Sequence, residues 1–515
     1  MKYTHKRIMS ILAAAALTCC TLPPSAPMLL RPAVTAAAED LSSGDFAYTV
    51  SESESKCVTI TKYTGTDTEV KVPDKIDGMP VTEIGSWAFG GCEDITKISL
   101  PDSITVIGSS AFNGCTGLTG ITLPKSLTGI SDGAFIGCTG LTVIAVPDGV
   151  TGIGSQAFAS CSALKTVTIP ESVTQIGASV FRGTPWLAAQ QEKSPLVIVN
   201  HILIDGTAAS EKVTVPDGVT SIGAMAFCGC RTLTDITIPK GVTDIGADAF
   251  NGCAGLTSVT LPDGTEHIGY QAFYGCTGLT EITLPDTVTQ IEGSAFFGCT
   301  GLTAVTLPDG LTGISNSLFM TCTGLKEITV PASAKTIEMR AFAGCSSLTK
   351  VTVSEGTESI GLMAFAMCPA LTDVILPDSV KEIGSAAFSG CPDVTIFGNA
   401  GSFAETYAKE NSIPFLAPGQ LRQGDADGDG TVTLKDAAAV QRYYNMTALN
   451  GESGLLNAAQ LEAADVDKSG DVTPKDAVCI QKYYNFNVTL EEPKTWTEIL
   501  ESFGQKAPES QQISG

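Results

Sequence analysis

The chain has 515 residues, of which 43% are hydrophobic and 6% aromatic, and it carries a formal net charge of −24 at neutral pH. That much negative charge disfavours nucleic acid and anionic membrane surfaces as partners, and it favours solubility and cation binding. Past the N-terminal segment no apolar run is long enough to cross a bilayer, so no membrane span is expected.

Residues 1–38 read as a secretory signal. A basic start (Lys2, Lys6, Arg7) precedes an apolar run from Ile8 to Leu17, and Ala36-Ala37-Ala38 stand before Glu39-Asp40 as a small-residue cleavage site. Cys19-Cys20 raises lipidation as an alternative, but Leu-Thr-Cys-Cys lacks the small residue that usually precedes a lipidated cysteine, so cleavage and release are favoured. The protein is expected to be secreted and extracellular, at the cell surface or in an assembly.

Residues 39–80 alternate like a hairpin from Phe46 to Pro80, placed to cover the first unit of a long repeat array. From about Val81 to Val394 the chain repeats every 23 residues, with the phenylalanine of an AFxGC signature as the ruler. It falls at Phe89, Phe112, Phe135, Phe158 and Phe181, then at Phe227, Phe250, Phe273, Phe296, Phe319, Phe342, Phe365 and Phe388. A period of this length signals a solenoid whose units bury their apolar face only by stacking. In the unit from Cys276 to Gly298, Leu279, Ile282 and Leu284 follow the L-x-x-L-x-L spacing of a strand. Pro285-Asp286 turns the chain, Val288 and Ile291 make a second apolar stretch, and Ser294 to Gly298 reads as a compact helical turn burying Ala295 and Phe296. Fourteen such coils at a strand spacing of ~4.8 Å would extend on the order of 65 Å.

The array at 81–395 resembles the BspA-type leucine-rich repeat family, which implies an α/β leucine-rich repeat solenoid with 23-residue coils. Between Thr184 and Pro216 one unit is degenerate. Its apolar runs, Leu196 to Val199 and Ile202 to Ile204, suggest a pair of strands or one irregular coil, read either as a recognition element or as a tolerated irregularity. Twelve of the seventeen cysteines recur at one repeat position: Cys92, Cys115, Cys138, Cys161, Cys230, Cys253, Cys276, Cys299, Cys322, Cys345, Cys368 and Cys391. One identical site per coil suits a ladder of small buried groups, so mostly free thiols are expected, with metal binding as the weaker alternative. Residues 396–418 hold a capping helix, Ser402 to Glu410, and a linker.

Two acidic runs come next, DADGDGTVTLKD from Asp425 and DVDKSGDVTPKD from Asp465. Oxygen side chains at loop positions 1, 3, 5, 9 and 12, with glycine at 6, match the ligand spacing of a hard cation such as Ca²⁺. They are Asp425, Asp427, Asp429, Thr433 and Asp436 around Gly430, and Asp465, Asp467, Ser469, Thr473 and Asp476 around Gly470, with the carbonyls of Thr431 and Asp471 at position 7. Thr433-x-x-Asp436 and Thr473-x-x-Asp476 read as N-caps of two nearly identical helices, DAAAVQRYYN and DAVCIQKYYN, with Pro474 in a first turn. Leu421 to Gly424 is too short for an entering helix, which argues against a standard EF-hand pair. A short helix fits the linker from Leu455 to Ala464. Val440, Tyr443, Ile480 and Tyr483 read as helix core.

The duplicated loop and exiting helix at 421–490 resemble a type I dockerin, a small all-α calcium-binding domain. The resemblance implies two bound Ca²⁺ ions and docking onto a cohesin module of a scaffoldin, as in a cellulosome. Recognition residues carried over by position are Leu434, Lys435, Gln441 and Arg442 in the first half, and Pro474, Lys475, Gln481 and Lys482 in the second. Leu-Lys and Pro-Lys stand where the family often has small hydroxylated residues, which leaves the cohesin type open. The likeness of the halves suggests that either helix can lead. Residues 491–515 form a tail with a short helix, Thr495 to Phe503.

The solenoid's own ligand, protein or glycan, is not named by the sequence. In the strand pattern L-T-x-I-T-L-P the Thr is nearly constant while x varies: Lys97, Gly120, Val143, Thr166, Asp235, Ser258, Glu281, Ala304, Glu327, Lys350 and Asp373. His201 and His267 have no nucleophile motif beside them, and the repeat leaves no room for a separate catalytic domain. The chain therefore reads as a non-enzymatic binding arm. The alternative is a polysaccharide hydrolase or carbohydrate-binding component of a cellulosome, for which Trp87, Trp186, Tyr270 and Tyr274 are the few aromatic candidates.

Overall fold

The structure is a computed structural model that describes residues 41–52, 56–418, 420–428, 431–449, 456, 458–489 and 494–502. The expected signal, with Cys19 and Cys20, the loop positions Asp429 and Gly430, and the end of the tail lie outside the described residues.

Each regular coil contributes one strand of three to five residues and one two-residue strand, as at Glu281–Thr283 and Gln290–Ile291. Both stack in parallel on the strands 23 residues away, with Ser258 opposite Glu281 and His267 opposite Gln290. The turn between them follows AFxGC. It is not the helical turn expected: Ser294 and Gly298 both take left-handed backbone, with φ of 57° and 71°, which a right-handed helix cannot contain. That geometry explains the glycine of the signature. The glycine that closes the short strand has another cause, since a Cβ on Gly269 would lie 2.6 Å from the backbone nitrogen of Ala247 in the preceding coil.

There are about 16 turns rather than fourteen, because the caps are themselves coils. The N-terminal hairpin pairs Phe46–Val50 with Val58–Tyr63, and the second of these then stacks in parallel on Met79–Ile84. At the other end Thr395–Phe397 pairs in parallel with Phe415–Leu416, and helix α2 (Phe403–Glu410) lies between them in sequence, capped by Ser402 as expected. The degenerate unit holds a helix that the sequence reading missed, α1 (Pro185–Gln191), started by Thr184, whose hydroxyl accepts from the Leu187 amide at 3.1 Å. Its apolar runs form an antiparallel pair, Val197–Val199 with Ile202–Asp205. The buried core divides here into two clusters, one ending at Ile202 and the other starting at Leu203. The sheets are interrupted again at Thr303–Leu307, while the core runs on beneath.

Three ladders hold the coils together. The repeat phenylalanines stack ring on ring, with centroids 5.1–5.7 Å apart and planes within 16° of parallel. Tyr63 closes this column at one end and Tyr407 of α2 at the other, and Trp186 fills the place next to Phe181 where the degenerate unit lacks its phenylalanine. The constant Thr of the strand pattern donates its hydroxyl to the carbonyl 23 residues earlier, as Thr257 does to Thr234 and Thr280 to Thr257, both at 3.1 Å. The repeat cysteine is free and donates its Sγ–H to the phenylalanine carbonyl of the coil before, as in Cys276 to Phe250 and Cys322 to Phe296 at 3.1 and 3.0 Å. Burial pushes the Cys276 and Cys322 thiols up to about 12, so they remain protonated donors.

His267 adds a staple across three coils. Its Nδ1 lies 2.7 Å from Asp244 and its Nε2 3.1 Å from Glu292, whose other oxygen accepts the Tyr270 amide. Hydrogen bonds to Asp244 and Glu292 raise the imidazole to about 9, against the partial opposition of burial.

Phe296→Ala should lower stability by about 3–5 kcal/mol, read as a shift in the urea midpoint, because it opens a void in the middle of the ring column. The His267 pKa rises from 6.5 unfolded to about 9 folded, so its stabilisation is complete below pH 6.5 and is lost as the pH rises through 9. Urea titrations across that window should show the parent losing stability relative to His267→Gln; parallel curves would refute the staple.

Candidate metal centre and docking faces

The C-terminal module is built from α3 (Leu434–Tyr444), α4 (Ala458–Ala464), α5 (Pro474–Tyr484) and α6 (Trp496–Glu501). α3 and α5 each run on into a wider turn, Asn445–Leu449 and Asn485–Thr489, so the duplication extends beyond the matching sequence. Ala426, Val440, Ala464, Val466, Ala477, Cys479, Ile480 and Leu500 make a small core. Val440 and Ile480 are buried as expected, whereas Tyr443 and Tyr483 are half-buried.

Each acidic loop is tied to the start of its exiting helix by a capping box. The Thr433 hydroxyl accepts from the Lys435 amide, and Asp436 accepts from the Thr433 and Asp427 amides at 2.7 and 3.0 Å. The second loop repeats this, with Thr473 bonded to Lys475, and Asp476 accepting from Thr473 and Val466 at 2.8 and 3.0 Å. Three carboxylates thereby converge in each loop, Asp425, Asp427 and Asp436 in one and Asp465, Asp467 and Asp476 in the other, with a ligand oxygen of each within 4.8 Å of the others. Asp425, Asp436 and Asp476 are buried. Burial raises the Asp436 and Asp476 carboxyls above the usual range, so each trio of like charge calls for a cation. An all-oxygen donor set in a tight turn fits Ca²⁺. Of the other predicted ligands, Ser469 points within its loop toward Asp465 and the Asp471 carbonyl, and the Thr433 and Thr473 hydroxyls serve as caps. Thr431 and Asp471 are exposed.

The predicted recognition residues lie on the outer faces of α3 and α5. Leu434 is 44% exposed, Lys435 and Arg442 are exposed, and Gln441 is half-buried and bonded to Asn445. In the second half Gln481 is exposed, and Pro474, Lys475 and Lys482 are half-buried. Lys475 pairs with Asp467 at 3.2 Å, and Lys482 reaches the Ser502 hydroxyl at 3.4 Å. Val478, 43% exposed, lies one turn after Pro474 and one turn before Lys482, on the same face.

The module also touches the solenoid. Arg422 pairs with Asp373, donates to the Thr372 carbonyl at 3.1 Å and lies over the Phe397 ring at 5.2 Å. A groove of about 570 Å³ opens beside this join, with Lys350, Ile375, Phe397 and Leu416 among its lining residues. Along the solenoid the variable strand positions face outward, and some pair between coils, as Lys97 does with Glu69 and Lys212 with Asp235. Of the aromatic candidates, Trp87 is 59% exposed, Trp186 packs on Phe181, Tyr270 accepts from Gln271, and Tyr274 stacks on Phe297.

The pattern of the BspA type leucine-rich repeat region matches in six copies over residues 69–191, 204–293 and 266–395, and that of the dockerin type I domain matches over 423–485. No curated protein matches the chain. Among solved structures, a leucine-rich repeat protein from Bacteroides ovatus is 25% identical, covering 73% of this chain and 99% of its own, with a TM-score of 0.39. A leucine rich cell surface protein from Faecalibacterium prausnitzii is 28% identical, covering 72% of this chain and 98% of its own, with a TM-score of 0.32. The leucine-rich repeat protein of T. pallidum is 28% identical over 51% of this chain and 91% of its own, with a TM-score of 0.24.

Trp496 stacks on Tyr483 at 4.3 Å and lies directly over Gly424, where a Cβ would fall 2.5 Å from the indole. Gly424 also has a φ of 92°. Gly424→Ala should therefore destabilise this module by about 1–3 kcal/mol and blue- or red-shift Trp496 emission, without moving the melting of the solenoid.

Proposed function

Because the chain belongs to the BspA type leucine-rich repeat family and carries a type I dockerin, we propose that it is a secreted, non-catalytic binding protein mounted on an extracellular scaffold. The dockerin docks on a cohesin module of a scaffoldin, in a cellulosome-type assembly, and the solenoid holds a protein or glycan ligand beside it. Leucine-rich repeats and dockerins are typically non-catalytic modules. No helix among the described residues is long and apolar enough to cross a membrane.

The observation that carries this reading is the pair of carboxylate trios, each joined through Asp436 or Asp476 to the first turn of a helix that displays docking residues. Two Ca²⁺ ions, one per loop, would neutralise these trios and fix the first turns of α3 and α5. Those turns carry Leu434 and Lys435, and Pro474 and Lys475, so ion binding sets the docking faces. The solenoid contains no comparable trio among its described residues and owes its order to the ladders.

Titration of the full chain with calcium should show two ions bound, and Asp436→Asn or Asp476→Asn should weaken one site by about tenfold or more. Chelation should abolish binding to a panel of type I cohesins and leave the β-sheet circular dichroism intact. Cohesin capture that persists in chelator, or no uptake at millimolar calcium, would sink the reading.

A further inference from the structure

We propose that the chain docks in a single orientation, led by the first half of the dockerin, because its own C-terminal helix and the end of the solenoid cover one edge of the second half. This rests on the docking reading above and adds to it which of two near-identical faces is used.

The duplication presents two candidate faces, Leu434, Lys435, Gln441 and Arg442 on α3 and Pro474, Lys475, Gln481 and Lys482 on α5. Their sequences do not distinguish them, but their surroundings do. α6 rests on α5: the Trp496 ring is stacked on Tyr483 with the planes 10° apart, and Lys482 bonds to Ser502 just past the end of α6. Lys482 is therefore both half-buried and engaged, while its counterpart Arg442 is exposed. At the start of the helices Lys475 is half-buried and Lys435 is exposed.

The end of the solenoid lies near the same helix. Arg422, immediately before the first loop, is anchored on Thr372, Asp373 and Phe397 of the last coils. That anchor holds Tyr483, the neighbour of Lys482, within electrostatic reach of Asp393 of the terminal coil, and Glu498 of α6 is within reach of Asp393 as well. A partner seated over Lys482 must displace α6, and one that reaches Tyr483 meets the end of the solenoid. Among the described residues, Leu434, Lys435 and Arg442 stay exposed with α6 and the end of the solenoid in place. Val478 and Gln481 stay exposed, so the second face is obstructed at its Lys482 edge rather than sealed.

The test uses the full chain and a type I cohesin that binds it in calcium. Hydrogen–deuterium exchange of the complex should show new protection over 434–444 and free-chain rates over 474–482. Lys435→Ala with Arg442→Ala, both at exposed positions, should weaken binding by about thirtyfold or more, the scale of a docking hot spot. Ending that variant chain after Thr489, which removes α6, should restore at least about tenfold of the loss by opening the second face. Equal protection of both halves, or a first-half variant that binds within about threefold of the parent, overturns the single orientation. A parent chain that binds no cohesin instead overturns the docking reading itself, a result separable from either of these.

Discussion

Every coil meets a copy of itself, and that constraint governs the rest of the molecule. With parallel strands in register 23 residues apart, each side chain is packed against the same position of the next coil. Only side chains that pack well against themselves serve at the inner positions. Phenylalanine stacks on phenylalanine, threonine donates to the backbone of the preceding threonine, and cysteine donates to the preceding phenylalanine carbonyl. A fully buried Phe is worth roughly 1.5–3 kcal/mol, and ring pairing adds about 0.5–1.5 kcal/mol, so the column outweighs any single aliphatic column beside it. The same rule works in reverse at the surface. Identical charges on adjacent strands repel, so the outward x positions must vary or alternate in sign, as Lys212 and Asp235 do. Variation on that face is thus partly a requirement of stacking and not only a record of ligand binding.

Departures from self-similarity are accommodated by particular residues. Where glycine gives way to Glu292 and Glu338, each carboxylate accepts a backbone amide of the coil before, from Tyr270 and Asn316 at 2.9 Å. The Glu292 replacement also supplies one side of the His267 staple. In the degenerate unit Gly206 leaves room for Phe227, whose ring would lie 2.3 Å from any Cβ there. Cys230 then loses its phenylalanine carbonyl and turns to that of Gly206 at a looser 3.7 Å. The core divides at this unit, yet parallel pairing resumes at once, with Ile202–Leu203 opposite Ser221–Ile222.

Much of this was legible in the sequence because a period needs no three-dimensional information. The phenylalanine ruler located the coils, and the spacing of Leu279, Ile282 and Leu284 located a strand. The near-constant Thr was visible, but its reason was not, since its partner is a backbone carbonyl in another coil. The turn was misread as helical because Ala-Phe runs favour helix locally, while the left-handed residues on either side are imposed by the stack. α1 went unseen inside an aperiodic stretch, although Thr184-Pro185 is an N-cap signal. In the dockerin the caps and the carboxylates that converge lie within one short run of residues each, and were readable. The Arg422 anchor was not, because Asp373 and Phe397 come from different coils and nothing local marks the arginine.

The join between solenoid and dockerin brings two kinds of stability into contact. The solenoid is ordered by ladders that repeat along its length, whereas the described core of the dockerin is a cluster around Val440, Ile480 and Leu500, and so short a segment generally needs a further staple. Bound calcium would make up that deficit by removing the repulsion within a carboxylate trio, and its occupancy would then set how rigid the module is. Arg422 belongs to the segment just before the first loop, and its guanidinium is largely withdrawn from solvent against Phe397 and Asp373. A half-buried ion pair of this kind is worth keeping only while both partners are held in place, since freeing the arginine leaves Asp373 without its partner. Ordering of the loops by calcium and seating of Arg422 therefore favour each other. Ions that order α3 and α5 would thus also favour one orientation of the dockerin on the solenoid.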